Sequence, residues 1–460
     1  MLGAVSSSCD ESAPRSVRPV VYLMAFLAYA IVRIIYFPAF HQVRTFPDTP
    51  VYINLASHSL LSSYFWTGPR PWTTPLLYKL VGNAPQSIAI FQLFLSIACW
   101  GLLALSVAAT LRSSWLKLIG FAGILLFSLS SEIIMWDGVI LSDSISLSLM
   151  ALWIACWLWL ARTWHFLNVA LLIGVALFWS FARDTNAWII LVVASALLIG
   201  TAAGLLRTRF ILVAGALAII FAANDYSANR GRRWVVAFIN NVGLRILPVP
   251  ERTEFFKQLG MPVTWVLMDR AGKKAWHDDW AFLKNPKLGE FRRWLYESGK
   301  LSYVRFLLSH PALTLQEPLR HPEQILASEL RNYAPVNFSP ILRGPLAEIV
   351  YFKNWALLSI WLAGIIVGWI VGSGIWRGSG AMVVALGMIV LTYPHAILVW
   401  HGDPNEIDRH ALQASVQLRL GIWLILLTAA DTYMARARMR QSSATAGDFD
   451  TRLLSDELSA

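Results

Sequence analysis

Ionisable side chains are scarce in this sequence, and many of them interrupt apolar stretches in a few short polar segments. These segments are 46–52 with Asp48, 136–144 with Asp137 and Asp143, 181–186 with Arg183, the start of a long polar stretch at 224, and 401–410 with Arg409 and His410. A carboxylate in a partly dry cavity can take a proton from a hydroxyl, which is general-base chemistry. An arginine fork can donate two hydrogen bonds to phosphate oxygens and keeps its charge. The segments therefore contain groups able to deprotonate a hydroxyl and to hold a phosphate.

Each polar segment also has a purely structural interpretation. Asp48 precedes Thr49 and a proline and can cap a helix, as Asp143 can at the next acidic segment. Arg183 can pair with the adjacent Asp184. An ionisable group at the end of an apolar helix usually faces a polar cavity or a partner. Because several such groups are predicted on one side, the functional interpretation is favoured for the set.

The elements that position these residues are predicted from composition. Of 460 residues, 57% are hydrophobic and 14% are charged, and the mean hydropathy is +0.55. Soluble domains usually carry about a quarter charged residues, so the bulk of this chain is predicted to lie in a bilayer. The 22 tryptophans and the net charge of +11 fit a chain with extensive lipid–water boundaries. The three cysteines, Cys9, Cys99 and Cys156, offer no disulfide framework.

Apolar windows of about 20 residues, the length that crosses a bilayer, recur along the whole sequence. We predict an all-α polytopic membrane protein with about ten transmembrane helices, in the windows 20–40, 86–110, 118–134, 142–161, 166–181, 187–206, 209–223, 353–375, 380–400 and 411–430. The first window lacks a cleavage site after it and is expected to be a retained anchor.

Basic residues set the predicted orientation. Arg112, Arg162 and Arg207 lie in short connections on one side, whereas the acids lie mostly on the other, which places the basic side in the cytoplasm. The chain is then predicted to cross the plasma membrane several times, with both termini in the cytoplasm and the active site on the extracytoplasmic side. The predicted divisions are a cytoplasmic tail 1–19, a transmembrane module 20–223 with the catalytic outer loops, an extracytoplasmic cap 224–352, a second transmembrane module 353–430 and a disordered cytoplasmic tail 431–460.

The first outer loop is too polar to cross the membrane. Its residues 50–61 have apolar groups at helical spacing, the proline-rich 68–75 forms a turn, and a second helix is predicted from Leu76 to Val81. Both helices are expected to lie in the membrane interface.

An early outer-loop Asp48, a following Tyr52 in a Leu-Ala helix, a Gly-x-Arg-Pro segment with Arg70, and Asp143 at the start of the fourth window together resemble the GT-C superfamily. Members of this superfamily are integral membrane glycosyltransferases that use polyprenyl-phosphate sugars. They include protein O-mannosyltransferases and lipid A aminoarabinose transferases. The resemblance covers residues 20–200 as a pattern of helices and polar segments, and 224–430 in outline.

The resemblance implies transfer of a sugar to a hydroxyl of a glycan, lipid or protein acceptor on the extracytoplasmic side. It makes Asp48 the catalytic acid, for which we predict general-base action and inversion of the anomeric centre. The predicted contacts to the acceptor come from Asp143, Asp137, Tyr52 and Arg70. The predicted contacts to the donor phosphate come from Arg183, Arg409 and His410. For Arg409, pairing with Asp408 is the structural alternative.

Metal use stays open at this stage. The family pattern often has a second acid beside the first, but here Thr49 follows Asp48. The outer loops have no clustered Cys or His, so a transition-metal site is not predicted, whereas Mg²⁺ or Mn²⁺ on Asp48 and Asp143 remains an alternative. Arg33 and Arg419 lie deeper in their apolar windows and rank lower as phosphate contacts, because long side chains can snorkel to the surface without a role in chemistry.

The long outer segment mixes tryptophans with basic residues, and 288–308 is predicted to be an interfacial amphipathic helix. Nucleic acid is not an expected partner because the segment is predicted outside the cell. Carbohydrate, an anionic leaflet and a simple helical cap remain the alternatives. For the whole chain, the alternative functions are a transporter or flippase and a lipid-linked glycan polymerase or ligase.

Overall fold

The structure is a computed structural model that describes residues 19–37, 43–326, 333, 340–371 and 379–457. Within these residues the regular secondary structure is helical. The predicted N-terminal tail 1–19 lies, except for Pro19, outside the described residues. The outcome supports an all-α protein of membrane type.

Six helices are long and apolar enough to cross a bilayer. They are α5 (Pro85–Thr110), α8 (Asp143–Arg162), α10 (Asp184–Ala202), α11 (Phe210–Arg230), α22 (Gly380–Gly402) and the first part of α24 (Leu412–Glu457). The other four predicted windows contain shorter helices: α1 (Pro19–Ile35), α6 (Ser114–Ser128), α9 (Phe166–Ser180) and α21 (Trp355–Val371). At 1.5 Å per residue these are shorter than a hydrocarbon core of about 30 Å, so ten crossings stay a prediction.

Three short helices follow α1 and shape the loop with Asp48, and a fourth follows α6 and shapes the loop with Asp137. Their bounds are α2 (Thr49–Ser57), α3 (Ser63–Thr67), α4 (Thr73–Leu80) and α7 (Ser131–Ile134). Tyr52, Leu55 and Ala56 of α2 are buried, so this helix packs on the bundle through one face. The predicted helices at 50–61 and 76–81 are therefore present with shifted bounds.

The helix α8 is the centre of the bundle. Nearly all of its side chains are buried, and it packs extensively against α5 and α9. Its first residue, Asp143, lies at the same end of the bundle as the loop of Asp48, which we call the outer end. At the opposite end, the carboxylate of Asp431 in α24 accepts hydrogen bonds from the backbone N–H groups of Arg112 and Ser113.

The segment after α11 folds as a helical unit with its own apolar core. Its helices are α12 (Trp234–Asn241, continued by the π-helical Val242–Ile246), α13 (Pro250–Gln258), α14 (Trp265–Met268), α15 (His277–Lys284), α16 (Gly289–Trp294), α17 (Lys300–Ser309), α18 (Pro311–Arg320) and α19 (Pro322–Ile325). Phe238, Phe256, Trp294 and Phe306 belong to this core. Phe291, Trp294 and Phe306 pack inside it, so 288–308 buries one face in this core; its position at the membrane interface stays a prediction.

The C-terminal part begins with α20 (Gly344–Val350) and ends, after α22 and the short α23 (Ile407–His410), in α24. The helix α24 continues to Glu457, whereas a disordered tail was predicted from 431. Residues 434–440 contain Ala, Arg and Met, which are strong helix formers, and this composition explains why the helix does not stop at residue 430.

Candidate functional site

The two outer loops that carry the predicted acids are joined by their backbones. The N–H of Arg44 donates to the carbonyl of Gly138 at 2.9 Å, and the N–H of Ile140 donates to the carbonyl of Arg44 at 3.0 Å. The hydroxyl of Thr49 donates to the carbonyl of Ile140 at 2.7 Å. These bonds fix the loop of Asp48 relative to the start of α8.

Asp48 and Arg70 form the more accessible ion pair at the outer end. Their Oδ1 and Nη2 atoms are 2.5 Å apart, and the side chains are 40% and 32% exposed. The Arg70 guanidinium carbon also lies 5.3 Å from the centre of the Tyr52 ring, within the range of a cation–π contact. Asp48 precedes α2, but its side chain makes no capping hydrogen bond. The capping interpretation of Asp48 is therefore wrong, and the carboxylate faces Arg70.

The loop of Arg70 is held between neighbouring segments. The N–H of Thr73 donates to the carbonyl of Phe181 at 3.1 Å, and Trp72 packs against the Phe181 ring. A Cβ added to Gly231, the first residue after α11, would lie 2.2 Å from the carbonyl oxygen of Gly68. Only glycine fits at this position, so the helical unit begins in direct contact with the Arg70 loop.

A second, buried cluster is centred on Asp143. Nη1 of Arg183 lies 3.0 Å from its Oδ1, and Nη2 of Arg409 lies 2.9 Å from its Oδ2. Asp143 is 1% exposed, and the two arginine side chains are less than a tenth exposed. The N-terminus of α8 adds a favourable field for the carboxylate. Arg409 also contacts Glu406 at 3.1 Å.

His410 completes this buried cluster. Its Nδ1 lies 2.6 Å from Nη2 of Arg183. Because the guanidinium can only donate, we assign Nδ1 as the acceptor and place the ring hydrogen on Nε2. Burial, and then the charges of Arg183 and Arg409, lower the pKa of His410 well below its ordinary value. The imidazole is therefore neutral near pH 7.

The structure thus brings together four predicted site residues, Asp143, Arg183, Arg409 and His410. The structural alternatives for the two arginines are wrong, because neither pairs with its acidic neighbour. Asp184 instead accepts from Arg233 at the start of α12, at 2.9 Å. The cluster joins residues far apart in sequence, from α8, the start of α10 and α23.

A second polar layer lies about one helical turn below the first. The amide nitrogens of Asn186 and Gln413 donate to the hydroxyl oxygen of Ser146 at 2.8 and 2.6 Å. Ser146 and Asn186 come three residues after Asp143 and Arg183, and Gln413 comes four residues after Arg409. Such spacings place both layers on the same helix faces. The oxygens of the two amides, Asn186 Oδ1 and Gln413 Oε1, are buried and have no partner within the described part of the chain.

The Asp48–Arg70 pair and the Asp143 cluster are neighbours. The hydroxyl of Tyr52 lies 3.3 Å from the hydroxyl oxygen of Ser142, the residue before Asp143. Arg70 is close enough for its charge to contribute to the lowered pKa of His410. Arg70 is therefore paired with Asp48 and near the buried cluster.

Asp137 is held in a separate buried pair with Arg33. Arg33 donates to Asp137 and, at 2.8 Å, to Ser96, while the Ser144 hydroxyl donates to the other Asp137 oxygen at 2.8 Å. Arg33 is 2% exposed, so it does not snorkel to the surface. A cation inside one apolar helix and an acid at the end of a neighbouring one are expected to pair, and this signal could have found the pair.

Arg419, the other arginine deep in an apolar window, is also buried. It donates to the backbone carbonyls of Phe352 and Ser415, both at 3.1 Å, and of Leu326 at 3.3 Å. These carbonyls satisfy its charge without a carboxylate. The sequence analysis also missed Glu406 and Tyr333, which contact Arg409 at 3.1 and 3.4 Å.

The carboxylates do not fit a shared divalent cation in this arrangement. Both oxygens of Asp143 accept from arginines, and two guanidinium groups repel a cation placed there. Among the described residues, no three His, Cys, Asp or Glu side chains are grouped so that they could hold a metal ion. We therefore derive no step through a metal.

Chemically, the outer end offers a half-exposed carboxylate beside a buried group of arginines and a neutral imidazole. The first can exchange a proton with a bound hydroxyl, and the second can hold an anionic group. Neither a family model nor a curated protein matches the chain.

Proposed function

We propose that the protein is a membrane glycosyltransferase that moves a sugar from a polyprenyl-phosphate donor to an acceptor hydroxyl at the extracytoplasmic face of the plasma membrane. The observation that carries the proposal is the placement of Asp48 and Arg70 next to the cluster of Asp143, Arg183, Arg409 and His410, at the end of an apolar helix bundle. A carboxylate and a phosphate-binding group are required side by side for this reaction.

Asp48 is the proposed general base. Its carboxylate is 40% exposed, so an acceptor can reach it, and Arg70 orients it. The acceptor oxygen forms the new bond to the anomeric carbon while its proton passes to Asp48. The bond from the anomeric carbon to the phosphate oxygen breaks, and its electron pair leaves with the polyprenyl phosphate. Attack opposite the phosphate inverts the anomeric centre.

Arg183 and His410 are the proposed contacts to the donor phosphate. Within the described residues, Arg183 donates to Asp143 and His410, and its guanidinium has five N–H donors in all. The remaining donors, with the Nε2–H of His410, can bind phosphate oxygens. Because Nδ1 stays bonded to Arg183, the neutral imidazole acts here only as a hydrogen-bond donor to the departing phosphate.

The buried acids have a different part in this proposal. Asp143 orients Arg183 and Arg409, since its oxygens are already bonded to both. Asp137 holds α1 against the start of α8 through Arg33 and Ser144. Contacts of Asp143 and Asp137 to the acceptor, and of Tyr52, stay predictions.

The direct test is turnover of the purified full chain in nanodiscs with a polyprenyl-phosphate sugar and a panel of hydroxyl acceptors. We expect release of polyprenyl phosphate, a product of inverted anomeric configuration, and loss of both in Asp48→Asn. The matched control is Asp279→Asn, because the Asp279 side chain is 84% exposed and paired only with Lys284 among the described residues. Normal turnover in Asp48→Asn would remove Asp48 as the base.

The alternatives give different results in the same preparation. Solute uptake into proteoliposomes that is indifferent to polyprenyl donors would replace the proposal with a transporter or flippase. Transfer of a whole lipid-linked glycan, with release of polyprenyl diphosphate, would replace it with a polymerase or ligase.

A further inference from the structure

The helices α17 and α18 form a hairpin with an exposed apolar ridge. Leu301, Val304 and Leu308 lie on the outer face of α17, and Leu315 and Leu319 lie on that of α18, all between 43% and 74% exposed. The other face of α17 packs through Phe306 into the apolar core of the helical unit. Large apolar surfaces are rarely left in water, so this ridge requires an occupant.

The hairpin is bonded to the outer ends of two long apolar helices. Lys300 at its start contacts Asp225 and Asn229 near the end of α11, at 3.1 and 2.7 Å. Its second helix contacts α22, where the hydroxyl of Tyr393 donates to the carbonyl of Leu315 at 2.6 Å. The hairpin therefore bridges two predicted membrane crossings.

The contacts with α22 set the depth of the hairpin. Nε2 of His401 lies 3.0 Å from the carbonyl of Thr314, and Nε1 of Trp400 donates to Glu317 at 3.2 Å. Tyr393, Trp400 and His401 lie within the last three turns of α22. At 1.5 Å per residue, α18 therefore runs no more than about 14 Å below the outer end of α22. An amphipathic helix in a bilayer interface buries its apolar face about 5–10 Å below the headgroups.

The exposed surface of the hairpin continues that of α22. Val383 and Val390 of α22 are more than 60% exposed, and Val390 and Tyr393 are three residues apart, on one face. The Leu315 carbonyl contacts that face. The hairpin, residues 300–320, has Arg305 and Arg320 on its exposed surface. Its only acid is Glu317, whose Oε1 lies 2.5 Å from Nη2 of Arg252. Basic groups beside leucines suit a layer of acyl chains below anionic headgroups.

From these contacts we infer that the α17–α18 hairpin is inserted in the outer leaflet, with its leucine ridge among phospholipid acyl chains. The hairpin anchors the helical unit to the membrane beside α11 and α22. This inference is independent of the proposed enzyme activity.

Spin labels on single cysteines test the inference in the full chain. The background is Cys9→Ser, because Cys99 and Cys156 are buried and will not label. Labels at Leu308→Cys and Leu315→Cys are compared in phosphatidylethanolamine–phosphatidylglycerol nanodiscs, by collision with oxygen, which partitions into lipid, and with a water-soluble nickel chelate. Val390→Cys is the lipid reference, and Lys284→Cys, whose side chain is 60% exposed in wild type, is the water reference.

We expect both hairpin labels to follow Val390→Cys, with frequent oxygen collisions and few nickel collisions. Labels that follow Lys284→Cys would show a ridge in water and overturn the inference. Shielding from both reagents, with dipolar broadening between labels, would show that a second copy covers the ridge, which also overturns it. Elution of each variant as one peak with wild-type volume shows that folding is kept.

Discussion

Asp48 and Asp143 are two carboxylates at the same end of the bundle, and each is paired with arginine, but in opposite surroundings. Asp48 has one arginine partner and is 40% exposed, whereas Asp143 has two and is 1% exposed. A buried ion pair is costly to break, because the remaining charge has no water to stabilise it. An exposed pair contributes little to folding. Asp48 is therefore accessible to a bound hydroxyl, whereas Asp143 fixes the positions of Arg183 and Arg409.

The largest effect is expected from Asp48→Asn on turnover. Loss of a general base typically costs about 10²–10⁴-fold in rate, and the exposed position predicts a change of about 1 kcal/mol or less in the free energy of unfolding. The measurement is initial velocity together with thermal unfolding of the same nanodisc sample. A large loss of stability with a proportional loss of active protein would instead make Asp48 structural.

The next largest effect is expected on stability, where Asp143→Asn should lose more than Asp48→Asn. Asp143→Asn leaves Arg183 and Arg409 buried without their shared counter-charge, and we expect the free energy of unfolding to fall by about 3–5 kcal/mol. Thermal unfolding monitored by tryptophan fluorescence measures it, with Asp48→Asn as the matched single-charge control. Equal stability of the two variants would remove the distinction between the two sites.

A smaller effect is expected in the deeper layer. Ser146→Ala removes the acceptor for the amides of Asn186 and Gln413, and a buried donor without a partner costs about 1–3 kcal/mol. The control is Ser148→Ala, because the Ser148 hydroxyl donates only to the carbonyl of Ser144 in its own helix. If both alanine variants unfold at the same temperature, the layer does not hold the three helices together.

The smallest effect concerns a third acid at the outer end, Asp403, which follows α22. Its carboxylate accepts from the Asn240 side chain and the Asn405 N–H, and no described Lys, Arg or His forms an ion pair with it. Burial raises its pKa to about 6. A raised pKa means that the folded state binds the proton more tightly than the unfolded state. Stability from this group is thus full below about pH 4 and is lost as the pH rises through 6.

We expect acidification from pH 6 to 5 to stabilise the wild type by about 1 kcal/mol relative to Asp403→Asn. Unfolding temperatures at the two pH values measure this difference. Parallel pH profiles for the two proteins would mean that burial does not raise the pKa of Asp403.

The sequence identified the residues of the buried cluster but not their pairings. We predicted Asp143, Arg183, Arg409 and His410 because they are ionisable residues at the ends of apolar windows, where burial of a charge is costly. Local pairing with the next residue in sequence was the natural alternative, and it failed because contacts between helices decide which acid an arginine reaches. Apolar periodicity likewise could not show that 288–308 buries one face in the core of the helical unit, because the same spacing is typical of a helix whose apolar face contacts lipid.

The buried cluster of Asp143 and the polar layer below it have a consequence for motion. Both take residues from α8, from the start of α10 and from the segment α23–α24, so sliding any of these helices along its axis by one residue, about 1.5 Å, would break hydrogen bonds at both heights together. The hydrogen bonds at two heights therefore fix the axial positions of the three helices relative to one another. Rocking of the kind that carries a solute across a membrane would have to break both sets of hydrogen bonds. The short helices around Asp48 contribute no residue to either layer.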